Sequence, residues 1–193
     1  SQVFPLLLEN LGCDVVKIYC DPNGIFKRGA EPLPENLSDL SDLVIRENCD
    51  IGFAVDPDSD RLAIIDERGK PLGEEYTLVL AAAGYLSQKE NSEVLVTNLS
   101  SSIALDKLAD KYNSTVLRSA VGEINVVNKM VECNSSFGGE GNGGVILKDA
   151  HLGRDALVGA ALILSYLSHQ KTTLSETHKA LPQYVIVKDR INI

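Results

Sequence analysis

Short apolar runs of strand length alternate along this chain with longer stretches of helical period, and no other feature constrains the fold as much. The runs are Ile51–Val55, Leu62–Asp66, 94–97, 115–118 and 145–147, with an earlier one at 14–20 that ends in the turn Asp21-Pro22-Asn23-Gly24. Helical spacing is read at 3–11, closed by Gly12, and at 38–48, where Leu40, Leu43 and Val44 share a face. It returns at 74–88, helped by Ala81, Ala82 and Ala83, and at 103–112, 124–132 and 155–167. The pattern predicts a layered α/β protein rather than a bundle or a sandwich. A turn is expected at Glu67-Arg68-Gly69-Lys70, and no repeat of 20 to 50 residues is visible. A chain of 193 residues has room for one large domain or two small ones, each with a buried core.

Acidic residues outnumber basic ones, giving a net charge of −9, and they are spread along the chain rather than gathered in a tail. This excludes a general nucleic-acid surface and a surface for acidic membranes, so an anionic ligand has to meet local cations or a metal. The longest apolar stretch, 156–164, is too short to span a bilayer and no signal pattern opens the sequence, so a cytoplasmic location is expected. Cys13, Cys20, Cys49 and Cys133 form no CxxC pair, and His151, His169 and His178 are unclustered. Buried thiols are expected, and zinc is not.

Three segments carry candidate chemistry. In DPDSDR, residues 56–61, Asp56, Asp58 and Asp60 alternate with other residues directly after an apolar strand. Carboxylates so close repel one another unless a cation lies between them, and an all-oxygen donor set suits Mg²⁺. A solvated acidic turn explains the same spacing equally well. A helix–loop–helix calcium site is disfavoured, because Arg61 stands where that loop needs Gly and the flanks read as strands. Arg61 instead suits a phosphate that a neighbouring metal also contacts.

The second segment is GGEGNGG, residues 138–144, ahead of an apolar strand and Lys148. Its glycines let backbone approach a ligand, and Glu140 and Asn142 can accept from and donate to neighbouring hydroxyls, the chemistry of reading a sugar. A Gly-rich hairpin with incidental polar residues is the competing reading. Neither a dinucleotide fingerprint nor a phosphate-cradling GK[ST] loop is present. The third segment, HLGRDA at 151–156, precedes the long second-half helix; Arg154 could position a phosphate and Asp155 could cap the helix, with capping the safer assignment.

In this order and spacing, DPDSDR, GGEGNGG and GRDA resemble the middle of the α-D-phosphohexomutase family, and the segment Ala30-Glu31-Pro32-Leu33-Pro34-Glu35-Asn36-Leu37 is similar to the Pro-rich stretch upstream of that family's metal loop. The resemblance covers nearly the whole chain. It implies an α/β fold of two tandem three-layer α/β/α domains with small mixed sheets, the first incomplete at its N-terminus. These would be domain 2 over residues 1–70, domain 3 over 71–183, and the start of a linker to domain 4 over 184–193. It further implies Asp56, Asp58 and Asp60 as Mg²⁺ ligands, Arg61 beside the phosphoryl group in transfer, and Glu140 and Asn142 on the sugar hydroxyls.

Several positions depart from the family pattern. Asn142 stands where many members have Ser, Gly144 where many have His, and 120–123 replaces a loop that often carries Lys, so Arg118 or Lys148 is expected to supply the substrate's cation. No Ser-His-Asn-Pro segment and no Arg-x-Ser-Gly-Thr clamp occurs in these residues. The implied partners are therefore domains 1 and 4 of the same polypeptide, together with a hexose phosphate and its 1,6-bisphosphate, and this piece alone is expected to be inactive. Among the family's substrates, GGEGNGG and Val121-Gly122-Glu123-Ile124-Asn125 look most like members acting on glucosamine phosphate, with glucose or mannose phosphate as the alternatives. A non-catalytic sugar-phosphate or metal-binding module is the rival from another class. An aspartate-based phosphatase lacks the Thr, Lys and Asp it would need.

Overall fold

The computed structural model describes residues 2–186. Helix α1 spans Val3–Asn10 and buries Phe4 and Leu8, four residues apart on one face. Gly12, at φ +86, ends it: the Cys13 amide folds back onto the Leu8 carbonyl at 3.0 Å. A short 3₁₀ turn at Pro34–Asn36 leads into α2, Ser38–Arg46, which buries Leu43 and Val44. Strands β1, Ile51–Val55, and β2, Leu62–Asp66, then form an antiparallel pair from Ile51 opposite Asp66 to Val55 opposite Leu62.

The strand expected at 14–20 does not form. Tyr19 lies at φ +53, and among the described residues β1 pairs with β2 alone, in a two-stranded sheet. Strand-like composition is insufficient without a neighbouring edge to take up the backbone N–H and C=O groups. The four cysteines are free but only half-buried rather than fully buried.

The two faces of β2 serve different cores. Ala63 and Ile65 pack with Leu37, Val44 and Ala54 under α2. Leu62 and Ile64 turn the other way and join the main core with Phe4 and Leu8. Every residue of β2 is buried, whereas burial alternates along β1.

The rest of that main core comes from the second half. Its elements are α3 (Glu74–Leu86), β3 (Val94–Asn98), α4 (Ala104–Lys111), β4 (Thr115–Ser119), α5 (Glu123–Glu132), β5 (Phe137–Glu140), β6 (Gly144–Leu147), α6 (Ala156–Ser168) and α7 (Leu174–Ala180). The sheet order is β4-β3-β5-β6; β3 runs parallel to β4 and to β5, and β6 is antiparallel to β5. Residues of α3, α4 and α6 cover one face around Leu95, Phe137 and Val145, while Val126 and Met130 of α5 cover the other against Val96 and Ile146. Helices α3 and α6 cross so closely at Gly84 that a Cβ there would lie inside van der Waals contact of the Leu162 carbonyl oxygen. The result is a three-layer α/β/α arrangement with a mixed sheet.

Most expected elements form within one or two residues of the ends read from the sequence. Two were not anticipated. Strand β5 takes in the first glycines of the 138–144 run: a Cβ on Gly138 would stand 2.5 Å from Met130 Sδ and 2.9 Å from the Val96 carbonyl oxygen, so close packing of helix and strand requires Gly there. Helix α7 opens with a capping box, in which Thr173 accepts from the Glu176 amide and the Glu176 carboxylate accepts from the Thr173 amide. Of the segment 184–193 expected to begin a linker, residues 187–193 lie outside the described residues. Among the described residues no helix is long and apolar enough to cross a membrane. The parallel strands β3, β4 and β5 end at Asn98, Ser119 and Glu140, on the sheet edge where open α/β folds place ligands.

Candidate functional site

The loop at 56–61 joins β1 to β2, so its flanks are strands and a helix–loop–helix calcium geometry is ruled out. Asp56 is buried and organises the turn. Its Oδ1 accepts from the amides of Asp60 and Arg61, both at 3.0 Å, and its Oδ2 accepts from Arg61 Nε at 2.6 Å. Ser59, at φ +62, lets the chain double back. Folded this way, Asp56, Asp58 and Asp60 each bring a carboxylate oxygen within 4.8 Å of the others.

The carboxylates differ in state. Burial alone would raise the Asp56 pKa, but the Arg61 amide and guanidinium hold it below the ordinary carboxylate range. Asp60 is pushed up to about 6 by burial and by its neighbour Asp56, despite the opposing charge of Arg154. Its Oδ1 is buried without a hydrogen-bond partner among the described residues, with Arg61 Nε 3.7 Å away. Arg61 is held firmly protonated by Glu31, at 2.6 Å, and by Asp56.

Glu140, at the end of β5, presents the second carboxylate centre. Its Oε1 accepts from Asn98 Nδ2 at 2.6 Å and from the Gly122 amide at 3.1 Å, and its Oε2 accepts from Arg154 Nη1 at 3.0 Å. Asn142 Nδ2 reaches Oε2 only at 3.5 Å, and Asn142 Oδ1 accepts from the Gly144 amide at 3.2 Å. The glycine turn is stitched to the acidic loop by main chain: the Leu62 amide donates to the Gly143 carbonyl at 3.1 Å, and Arg61 bridges to Gly144. A Cβ on Gly143, which sits at φ +92, would fall 2.6 Å from the Leu62 carbonyl oxygen, so the close approach requires glycine.

Arg154 lies where the two loops meet. One guanidinium nitrogen, Nη2, pairs with Asp60 Oδ2, the other, Nη1, with Glu140, and Nε faces Glu123 Oε2 at 3.5 Å. The Arg154 amide donates to Glu123 Oε1 at 2.8 Å. Room for the side chain exists because Gly144 has no Cβ, which would overlap Arg154 Cδ. Asp155 caps α6, accepting from the amides of Leu157 and Val158, and the Ala156 amide donates to the Ser59 carbonyl at 3.1 Å, fastening the helix start to the acidic loop.

The structure brings together Asp56, Asp58, Asp60, Arg61, Glu140 and Asn142. Arg118 braces a neighbouring loop instead: its guanidinium donates to the carbonyls of Asn98 and Ser101 and to Asp106 Oδ2. Lys148 follows β6 at the end away from Gly144 and donates to Asn134 Oδ1 at 2.8 Å. Among the described residues, Arg154 pairs its guanidinium with carboxylates of both loops, Asp60 and Glu140. Asn98, which holds Glu140, was not singled out from the sequence, and Glu31 and Glu123, which hold Arg61 and Arg154, were noted there only as parts of family-like segments and not as site residues.

A family model described as phosphoglucomutase/phosphomannomutase, alpha/beta/alpha domain III, matches residues 64–185, and its domain II counterpart matches residues 1–69. A Thermococcus kodakarensis protein named phosphoglucomutase/phosphomannomutase is 36% identical over 100% of this chain and 42% of its own length. A Methanopyrus kandleri protein named probable phosphoglucosamine mutase is 34% identical over 98% of this chain and, again, 42% of its own length. Among solved structures, a phosphoglucomutase/phosphomannomutase family protein from Burkholderia thailandensis superposes with a TM-score of 0.83 at 27% identity, covering 95% of this chain and 41% of that one. The chain thus spans about 42% of the length of these curated relatives.

Proposed function

The chain belongs to the phosphoglucomutase/phosphomannomutase family, and on that premise we propose that it is the cation-holding and sugar-reading part of an enzyme that shifts a phosphoryl group between the 1- and 6-positions of a hexose phosphate through a bisphosphate. The observation that carries this reading is the joining of the Asp56–Asp58–Asp60 triad to the Glu140 loop. Neither loop alone distinguishes a metal site or a sugar site from a polar turn.

The residues fit Mg²⁺. The donors are hard oxygens, they converge, and Asp60 Oδ1 is buried with no hydrogen bond among the described residues, an arrangement that a divalent cation would satisfy. When bound, the ion supplies electrostatic stabilisation of the charge spread over the phosphoryl group in transfer. Asp56 fixes the turn through its three hydrogen bonds. Arg61 is anchored by Glu31 and Asp56, which holds its charge beside the triad as a catalytic group for the phosphoryl oxygens.

Glu140 has three well-made hydrogen bonds from the protein and one long one, from Asn142. A sugar hydroxyl entering here replaces that weakest bond, leaving Asn142 Nδ2 to meet an adjacent hydroxyl. This is how the pair would read a ring that must be accepted in two orientations. Glucosamine phosphate is the proposed sugar, supported by relatives named as probable phosphoglucosamine mutases; glucose or mannose phosphate is the alternative, which the name of the Thermococcus relative favours. The remaining domains of a longer polypeptide would supply the phosphoryl carrier and the distal phosphate clamp, in the cytoplasm. We assign residues 1–70 and 71–183 as the two domains present.

The test is a polypeptide carrying this chain with those domains, assayed on glucosamine, glucose and mannose phosphates. The highest kcat/KM is expected for glucosamine phosphate, and Glu140→Ala should lower it at least about tenfold, as loss of a charged polar contact worth roughly 1.5 to 3 kcal/mol requires. No turnover of any of the three would overturn the mutase reading.

A further inference from the structure

We propose that Arg154 is a positioning residue that couples cation occupancy of the aspartate triad to the glycine loop carrying Glu140. The proposal rests on the triad being a cation site.

The geometry divides the Asp60 carboxylate between two tasks. Oδ2 is taken by Arg154 Nη2, while Oδ1 is buried with no hydrogen bond among the described residues and has only Arg61 Nε at 3.7 Å as an ion-pair neighbour. Groups that hold a metal ligand's second atom orient the first, and here the holding group is also bonded to Glu140, on another strand. A planar guanidinium offers two fixed donor directions, so Arg154 can grip Asp60 and Glu140 at once, which a lysine ammonium cannot do with the same directionality. The side chain has little freedom to do anything else. It is largely buried, its amide is held by Glu123, and the next residue caps α6.

Charge gives the coupling its direction. One guanidinium faces the carboxylates of Asp60, Glu140 and Glu123. With a cation held by the triad, part of the neutralisation of Asp60 would pass from Arg154, which would then answer chiefly to Glu140 and Glu123 and tighten the glycine turn. The sugar-reading loop, already held by Asn98, Gly122 and Arg154, is thereby held more tightly when the cation is in place.

The test uses Mn²⁺ as the probe. Binding to the chain is followed by the paramagnetic signal of the free ion, and amide hydrogen exchange is read over residues 138–144 with and without the ion, for the native chain, Arg154→Lys and Arg154→Met. Saturating Mn²⁺ is expected to slow exchange in this loop at least about threefold in the native chain, a change well resolved by exchange measurements. In Arg154→Met the ion still binds but the loop no longer responds, and Arg154→Lys recovers at most part of the response. An undiminished response in Arg154→Met would overturn the proposal, as would a native loop that ignores bound Mn²⁺. Failure of the native chain to bind Mn²⁺ would instead sink the cation reading, and the coupling with it. Should Arg154→Met not fold, a full response in Arg154→Lys overturns the proposal; loss of the fold in both variants would make Arg154 a scaffold residue and overturn it too.

Discussion

Asp56 and Asp60 lie in one short loop yet are held in opposite ways, one stabilised as an anion by Arg61 and the other pushed up to about 6 by burial beside a like charge. The third member, Asp58, is exposed. Its removal should therefore separate binding from folding. Asp58→Ala is expected to weaken Mg²⁺ or Mn²⁺ binding by about tenfold or more, measured by calorimetry, while changing folding stability by no more than about 0.5 kcal/mol. Unchanged affinity would show that the acidic turn is simply solvated. The triad was legible in the sequence because its members are neighbours there and their mutual repulsion needs an explanation. Arg154 was visible only as a candidate for positioning a phosphate, since its partner Asp60 is 94 positions away and no local pattern records that distance. The substrate cation was sought at Arg118 and Lys148, side chains the fold engages elsewhere.

At the scale of elements, periodicity identified the helices and most strands, because an amphipathic period is a local property. It failed at 14–20, where a strand needs an edge to pair with, and at β5, where packing against α5 imposes glycine and hides the alternation. Helix α7 did carry a local signal, the Thr173-to-Glu176 capping box. This helix is docked by Glu67, whose carboxylate accepts from the Ser175 hydroxyl at 2.5 Å and the Ser175 amide at 3.1 Å. Burial works against ionisation here, but those bonds prevail and bring the Glu67 pKa from 4.5 to about 2. A carboxyl depressed on folding stabilises the protein above its unfolded pKa and loses that contribution as pH falls toward the folded value. Glu67→Gln is thus expected to lower Tm by a few degrees, roughly the effect of 1 kcal/mol, at pH 6, and the gap to the native chain should shrink between pH 4.5 and pH 2.5. Thermal melts followed by circular dichroism check this, and a gap independent of pH would assign the docking to something other than the charge.

For the whole molecule, family models divide the chain near residues 64 to 69, but the packing does not. Ile64 belongs to the main core and Ile65 to the core under α2, so adjacent residues of β2 hold different bodies of the protein together. Ile64→Ala and Ile65→Ala should each cost about 2 to 5 kcal/mol, and the chain should unfold in one transition, with amides of β1 and β3 sharing a urea midpoint. Separate midpoints would mean two independently folding units. The doubly used strand also bears on what kinds of inherited change such a chain can survive. A substitution in β2 disturbs one core at a time, whereas inserting or deleting a single residue would exchange the inward sets of both cores together. Change here has to come by replacement rather than by a change of length. A crossover that traded one half for that of a distant cousin would also have to carry the 62–66 segment with both of its neighbours, so the halves behave as a single heritable block.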